Sequence, residues 1–394
     1  MTITDPVGNL ATLIRCPSVT PQEAGALTAL EAMLTPLGFR VDRVTFEDDG
    51  TPPVDNLYAR LGTDGPHLMF AGHTDVVPEG DAADWTHPPF AAEIDGGQMY
   101  GRGAVDMKGA IACFVAAVAR YLESRGRPKG SVSLLITGDE EGPSVNGTEK
   151  LLRWAADKGE RWDGCVVGEP TNPERLGDMI KIGRRGSQNG RLTVHGVQGH
   201  VAYPQDADNP VRALLPMLNS LLDPPLDAGS DHFPPSHLEV TSIDIGNPAA
   251  NVIAARAEAA FNIRFNDHWT PGRLETEIIR RLETAAGDER FRRGRAPARF
   301  SLDWAVRSAA VFLTRDDTLI DTVSQAVEAC TGRRPALSTT GGTSDARFIK
   351  DYCPVIEFGL ISRTMHKVDE HVSLADLAGL TDIYEDLLTR WFAA

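Results

Sequence analysis

Two histidines and a group of carboxylates draw attention first, because most of them stand where a short apolar run gives way to glycine. His73 and Asp75 lie in Gly72-His-Thr-Asp75, Glu140 and Glu141 in Gly138-Asp-Glu-Glu-Gly142, and Glu169 in Gly168-Glu-Pro170. His366 follows a fourth apolar run, in Thr364-Met-His-Lys367. Asp106 sits in Gly101-Arg-Gly-Ala-Val-Asp-Met-Lys-Gly109, just before a long helical pattern. Singly, each is ordinary: His-x-Asp is a common turn, paired glutamates often face solvent, and an aspartate before a helix is a usual cap. Together they offer imidazole and carboxylate donors without thiolate, which suits catalytic zinc, cobalt or manganese better than structural zinc. Two cations ~3.5–4 Å apart need a shared carboxylate, and Asp106 is the best candidate. One ion then takes His73, Asp106 and Glu169, and the other Asp106, Glu141 and His366, each with room for a water. Neighbouring glutamates on an extended stretch face opposite ways. Glu141 therefore reads as a ligand and Glu140 as the general base, taking a proton from water whose pKa the metal lowers towards ~7. Asp75 reads as the group that holds His73 in one tautomer.

Such residues, far apart in sequence, can meet only at one edge of a sheet. Apolar runs at 56–61, 67–71, 132–137, 164–167 and 355–358 read as strands, and amphipathic stretches at 6–15, 22–36, 109–125, 147–158, 316–330 and 374–392 as helices. Their alternation predicts an α/β domain with a mostly parallel central sheet, whose sites gather at the strands' carboxyl ends. Between 183 and 296 the texture changes. Strands over 191–197, 238–245 and 258–265, with a helix over 210–222, suggest a smaller α+β domain inserted into a host made of 1–182 and 297–394.

The 394 residues suit two domains, and the composition, 42% apolar and 24% charged, is that of a globular protein. A net charge of −16 disfavours nucleic acid and anionic membranes as partners. The most apolar window, 110–118, is far shorter than the ~20 residues of a membrane span. The opening Met-Thr-Ile-Thr-Asp-Pro has no pattern of a secretory or transit signal, so a cytoplasmic location is expected. Cys16, Cys113, Cys165, Cys330 and Cys353 are scattered, without metal-knuckle spacing, and read as free thiols in a reducing compartment.

The order His73-x-Asp75, Asp106, Glu140-Glu141, Glu169, His366 resembles the dizinc amidohydrolases of the M20 metallopeptidase family, over essentially the whole chain. Longer motifs narrow the resemblance: Arg184-Arg-Gly-Ser187, Gly199-His-Val-Ala-Tyr-Pro204, Gly341-Gly-Thr-Ser-Asp345 and Met365-His-Lys-Val-Asp-Glu370, beside those above. They are similar to the branch that hydrolyses N-succinyl-LL-2,6-diaminopimelate to succinate and LL-2,6-diaminopimelate in bacterial lysine synthesis. Relatives acting on acetylornithine or other acylated amino acids would use the same metal set. The resemblance implies a zinc-exopeptidase-like catalytic domain with two divalent ions, zinc first and cobalt second, and a cis peptide after Asp106. It also implies that the inserted domain is a lid that forms a homodimer, and that His200 reaches the partner subunit's site to steady an oxyanion.

The resemblance places Arg184, Ser187, Tyr203, Asn251, Arg264, Gly342 and Thr343 around the substrate. Physical chemistry adds its own reason. A small anionic acylated amino acid carrying several carboxylates needs arginine forks, and Arg184-Arg185 with Arg264 supply them in an otherwise acidic chain. Two positions depart from the family pattern: Ala254 stands where proline is frequent, and Ser362, followed by Arg363, where some members have a substrate-binding asparagine.

Overall fold

The computed structural model describes residues 2–48, 50–288, 296–305 and 308–393. The chain divides into two compact units: residues 1–183, 313–338 and 344–394 form the first, and 184–312 with 339–343 the second.

In the first unit, the apolar strands His67–His73, Ser131–Thr137 and Gly164–Val167 are buried along their whole length. Such uniform burial is the mark of a parallel strand covered on both faces. They pair in parallel, with His73 opposite Thr137 and Ala71 opposite Val167, and Val355–Glu357 joins Gly164–Val167 in parallel. Arg40–Asp48 and Thr51–Leu61 extend this sheet as antiparallel strands on one side, and Met179–Lys181 and Ala336–Ser338 extend it on the other. The fold is α/β with a mostly parallel central sheet, as the alternation of runs predicts.

The helices Pro6–Ile14, Lys108–Arg125 and Leu374–Trp391 pack together in the core of this unit. The Phe70 ring, on a central strand, stacks on Phe114 with centroids 4.3 Å apart, and Tyr384 meets both edge-on. The Tyr384 hydroxyl donates to the Phe358 carbonyl at 2.6 Å, tying the last helix to the strand end that leads towards His366. Among the described residues no helix is long and apolar enough to cross a membrane.

The second unit holds an antiparallel sheet in the order His237–Asp244, Arg256–Phe265, Gly186–His195, Arg299–Trp304. Along Arg256–Phe265 every second residue is buried, the period of a sheet with one covered face. Helices Val211–Leu222 and Pro271–Ala286 share its apolar cluster. Thr270 caps the second helix by accepting the Arg273 N–H, and Pro271 opens it. The predicted end of the insertion at residue 296 is corrected. Arg299–Trp304 pairs with Gly186–His195, so the unit runs on to Phe312, and 339–343 belongs with it.

Phe114→Ala removes the ring that Phe70 and Tyr384 both contact. It is expected to lower unfolding free energy by about 3–5 kcal/mol, measured by urea denaturation of the metal-free protein; a loss under 1 kcal/mol would contradict this account of the core.

Candidate metal centre

The first unit brings together the residues that the glycine-flanked loops single out. His73 is the last residue of its strand, Glu140 and Glu141 lie just past Thr137, and Glu169 lies just past Val167. Asp106 precedes the helix Lys108–Arg125. Its two oxygens face different imidazoles: Oδ1 is 3.2 Å from His73 Nε2, and Oδ2 is 3.1 Å from His366 Nε2. His366 Nε2 is also 2.8 Å from Glu141 Oε1, and His73 Nε2 is 3.8 Å from Glu169 Oε1. The donor atoms of His73, Asp106 and Glu141 lie within 4.8 Å of one another, and so do those of His73, Glu140 and Glu169. Two nitrogens and the oxygens of Asp106, Glu141 and Glu169, converging on a mostly buried place, fit two divalent cations sharing one carboxylate.

Local structure sets each donor. The Asp106–Met107 peptide is cis. His366 adopts φ +60°, a left-handed conformation that costs a non-glycine residue energy and clusters at functional sites. Gly168 leaves room for packing behind the site, since a Cβ there would lie 2.5 Å from the Phe70 ring and 2.7 Å from the Met107 methyl. Asp75 acts differently from the expected simple tautomer clamp. His73 Nδ1 hydrogen-bonds the Asp75 backbone carbonyl at 2.9 Å, while the Asp75 carboxylate stands 3.6 Å away and accepts the N–H groups of Glu140 and Glu141. One residue thus orients the His73 imidazole with its backbone and fixes the double-glutamate loop with its side chain.

Other side chains here escape the sequence reading. Asp139 accepts the Val145 and Asn146 N–H groups and shapes the loop after Glu141. Asp345, buried, accepts from the Thr148 hydroxyl at 2.6 Å. Glu370, fully buried, binds the backbone before Asp106. All three stand in motifs already noted, Gly138-Asp-Glu-Glu-Gly142, Gly341-Gly-Thr-Ser-Asp345 and Met365-His-Lys-Val-Asp-Glu370, but their spacing does not reveal these contacts.

The crowd of carboxylates dominates the electrostatics. Hydrogen bonds with Asp106 and Glu141 raise His366 to about 10. Burial opposes charge on His73, but Asp106, Asp75 and Glu140 outweigh it and raise its proton affinity well above the ordinary value. Burial also raises Glu140 well above the carboxylate range, and Glu169 adds to the rise. Asp75 is raised to about 6, again mainly by burial. Burial would raise Asp106 too, yet its bonds to His366 and His73 prevail and hold it below the usual carboxylate range.

The remaining candidates lie in the second unit. Ser187 and Arg264 are cross-strand partners, and Asn262 Nδ2 donates to Ser187 Oγ at 3.1 Å. Arg184 Nη1 donates to the Gly342 carbonyl at 3.0 Å, so Arg184 and the segment holding Gly342 and Thr343 come together. Burial lowers Arg264, and nearby Arg185 and Arg184 lower it further. Its Nη1 and Arg185 Nε are buried without a hydrogen-bond partner among the described residues. His200 pairs with Val252, its Nδ1 accepts the Ala202 N–H at 3.0 Å, and its ring lies 5.7 Å from that of Tyr203. Asn251 accepts the Val201 N–H through its carbonyl. His200, Tyr203 and Asn251 are exposed.

Comparison with known proteins places the chain in a family. The pattern of Peptidase family M20/M25/M40 matches residues 69–390. Among solved structures, human carnosine dipeptidase 1 is 19% identical with a TM-score of 0.74, covering 100% of this chain and 97% of that one. The M20 family metallo-carboxypeptidase Sso-CP2 from Sulfolobus solfataricus is 17% identical with a TM-score of 0.77, covering 99% and 100%. Bacillus subtilis YXEP, described as a dinuclear metal binding peptidase, is 15% identical with a TM-score of 0.71, covering 100% and 99%.

Metal uptake must displace the protons that this carboxylate cluster holds on the imidazoles. The carboxylates raise the proton affinity of both histidines in the metal-free protein, so loading is expected to release protons. Apparent affinity then rises with pH. Calorimetric zinc titrations in buffers of different ionisation enthalpy measure the release; uptake without proton release would contradict the assignment.

Proposed function

The chain belongs to peptidase family M20/M25/M40, and on that premise we propose that it is a succinyl-diaminopimelate desuccinylase. It would hydrolyse N-succinyl-LL-2,6-diaminopimelate to succinate and LL-2,6-diaminopimelate in lysine and diaminopimelate synthesis. The observation that carries the metal-dependent hydrolase reading is Asp106 divided between two imidazoles, with Glu140 and Glu169 grouped around His73. In this reading His73, Asp106 and Glu169 hold one divalent ion, and Asp106, Glu141 and His366 the other, zinc first and cobalt second. When bound, the two ions would polarise the substrate carbonyl and lower the pKa of a nearby water.

The chain's own residues do the rest. Glu140 accepts the proton of the attacking water and passes it to the leaving amine. One water is consumed, the carbon–nitrogen bond breaks, and carboxylate and amine leave. Asp75 keeps His73 and the base's loop in place. The arginines argue for an anionic acyl group. Arg184, Arg185 and Arg264 crowd together in a chain of charge −16, and the unpartnered Arg264 Nη1 suits a carboxylate. Ser187, Tyr203, Asn251, Gly342 and Thr343 complete the proposed substrate contacts. His200 would stabilise the oxyanion in the site of a partner subunit, and the second unit would form the homodimer. Val201, Tyr203, Leu215 and Ile243 of this unit are exposed. Five free cysteines suit a reducing compartment, and we place the protein in the cytoplasm.

Glu140→Ala is expected to keep both ions, read by elemental analysis, while turnover falls by about 10²–10⁴-fold. Near-normal turnover would remove Glu140 from the role of base. Arg264→Met should raise KM for the succinylated substrate at least tenfold; faster acetate release from acetylornithine by the unmodified protein would favour a deacetylase instead. Mixed dimers of His200→Ala and Glu140→Ala subunits should regain activity, and failure to do so would sink the cross-subunit role.

A further inference from the structure

Glu370 is fully buried, and its carboxylate accepts on both oxygens. Oε2 accepts from Arg102 Nη1 at 2.8 Å and from the Gly103 N–H at 3.1 Å. Oε1 accepts from the N–H groups of Val105, at 2.9 Å, and of Asp106 itself, at 3.3 Å. The clasp is reinforced by backbone. The Glu370 carbonyl accepts the Gly101 N–H at 2.8 Å, and the next residue, His371, pairs with Tyr100 in an antiparallel ladder. Arg102 is locked as well. It also donates to the Lys367 carbonyl at 3.1 Å, and its guanidinium lies over the Trp85 ring at 5.1 Å.

These contacts join two segments more than 260 residues apart in sequence, one leading into Asp106 and the other leaving His366. Resting on the dinuclear reading above, we propose that Glu370 is a positioning residue: it sets the Asp106 carboxylate against His366 so that one oxygen serves each ion. The role requires a group that accepts on both oxygens. A glutamine of the same shape would turn an NH₂ towards donors on one side, so the isosteric change breaks the clasp. Glu370 lies behind Asp106 and reaches neither the water nor the substrate in this role; it acts only through Asp106.

The test measures metal affinity, which does not depend on the identity of the substrate. Full-length wild type, Glu370→Gln and Glu370→Asp are stripped of metal, checked by circular dichroism and titrated with zinc against a competing chelator. Val323→Ala, a buried truncation in the helix Asp317–Thr331, serves as a control for general loss of stability. Wild type should bind two ions. Glu370→Gln should weaken both by about 10–100-fold, the range seen when a ligand's supporting contact is lost. Glu370→Asp, still acceptor-only but shorter, should show a smaller loss and carries the test should the glutamine variant fail to fold. Val323→Ala should bind as wild type does. Wild-type affinity in a folded Glu370 variant, or equal weakening in Val323→Ala, overturns the positioning role alone. Wild type that binds no ions overturns the dinuclear reading and this inference with it.

Discussion

Electrostatic repulsion among carboxylates governs this structure. Asp75, Asp106, Glu140, Glu141 and Glu169 converge on one end of the central sheet, and the first two are almost completely buried. Burial alone makes such charges costly. The sequence answers with imidazoles, and Asp106 stays ionised because two of them flank it. The same crowding offers a set of donors that could hold divalent cations. The supporting contacts have a common logic: Asp75 and Glu370 accept backbone N–H groups from the loops that hold the donors, and so fix those loops without adding cations.

Much of this was legible in the residues. The buried strands Ser131–Thr137 and Gly164–Val167 announce themselves as short apolar runs ending in glycine, and the acids after them land at one sheet edge. Arg40–Asp48 was not legible. Among the described residues it is an edge strand paired with Thr51–Leu61, and its alternation of charge and apolar residues lacks a fully buried face. The helix Pro271–Ala286 and the strand Arg299–Trp304 were missed for a related reason: both are rich in charge, and a tertiary partner decides their form. At the centre, residue types pointed to the ligands, but no spacing could reveal that Asp75 divides its backbone and side chain between two tasks. Nor could it show Glu370 reaching back to the Asp106 loop, since that pairing depends on a strand ladder between distant segments.

The second unit carries the opposite electrostatic problem. Burial lowers the proton affinity of Arg264, and nearby Arg185 and Arg184 lower it further. A chain with so many acids could have paired each arginine internally, as Arg281 is paired with Glu277. Leaving buried guanidinium nitrogens unpartnered in this cluster keeps capacity for an anion from outside. The two units therefore divide the chemistry: one concentrates negative charge for metal ions, and the other concentrates positive charge.

The spread of the donors along the chain has a consequence for biosynthesis. His73 leaves the ribosome early, yet Asp106 lacks both its second imidazole and its Glu370 clasp until residues 366–370 have been made. The helix Leu374–Trp391, which packs on Lys108–Arg125, comes later still. The nascent polypeptide must therefore keep apolar strands and a cluster of acids incompletely assembled through most of translation. Such long-range closure slows folding and lengthens exposure to aggregation.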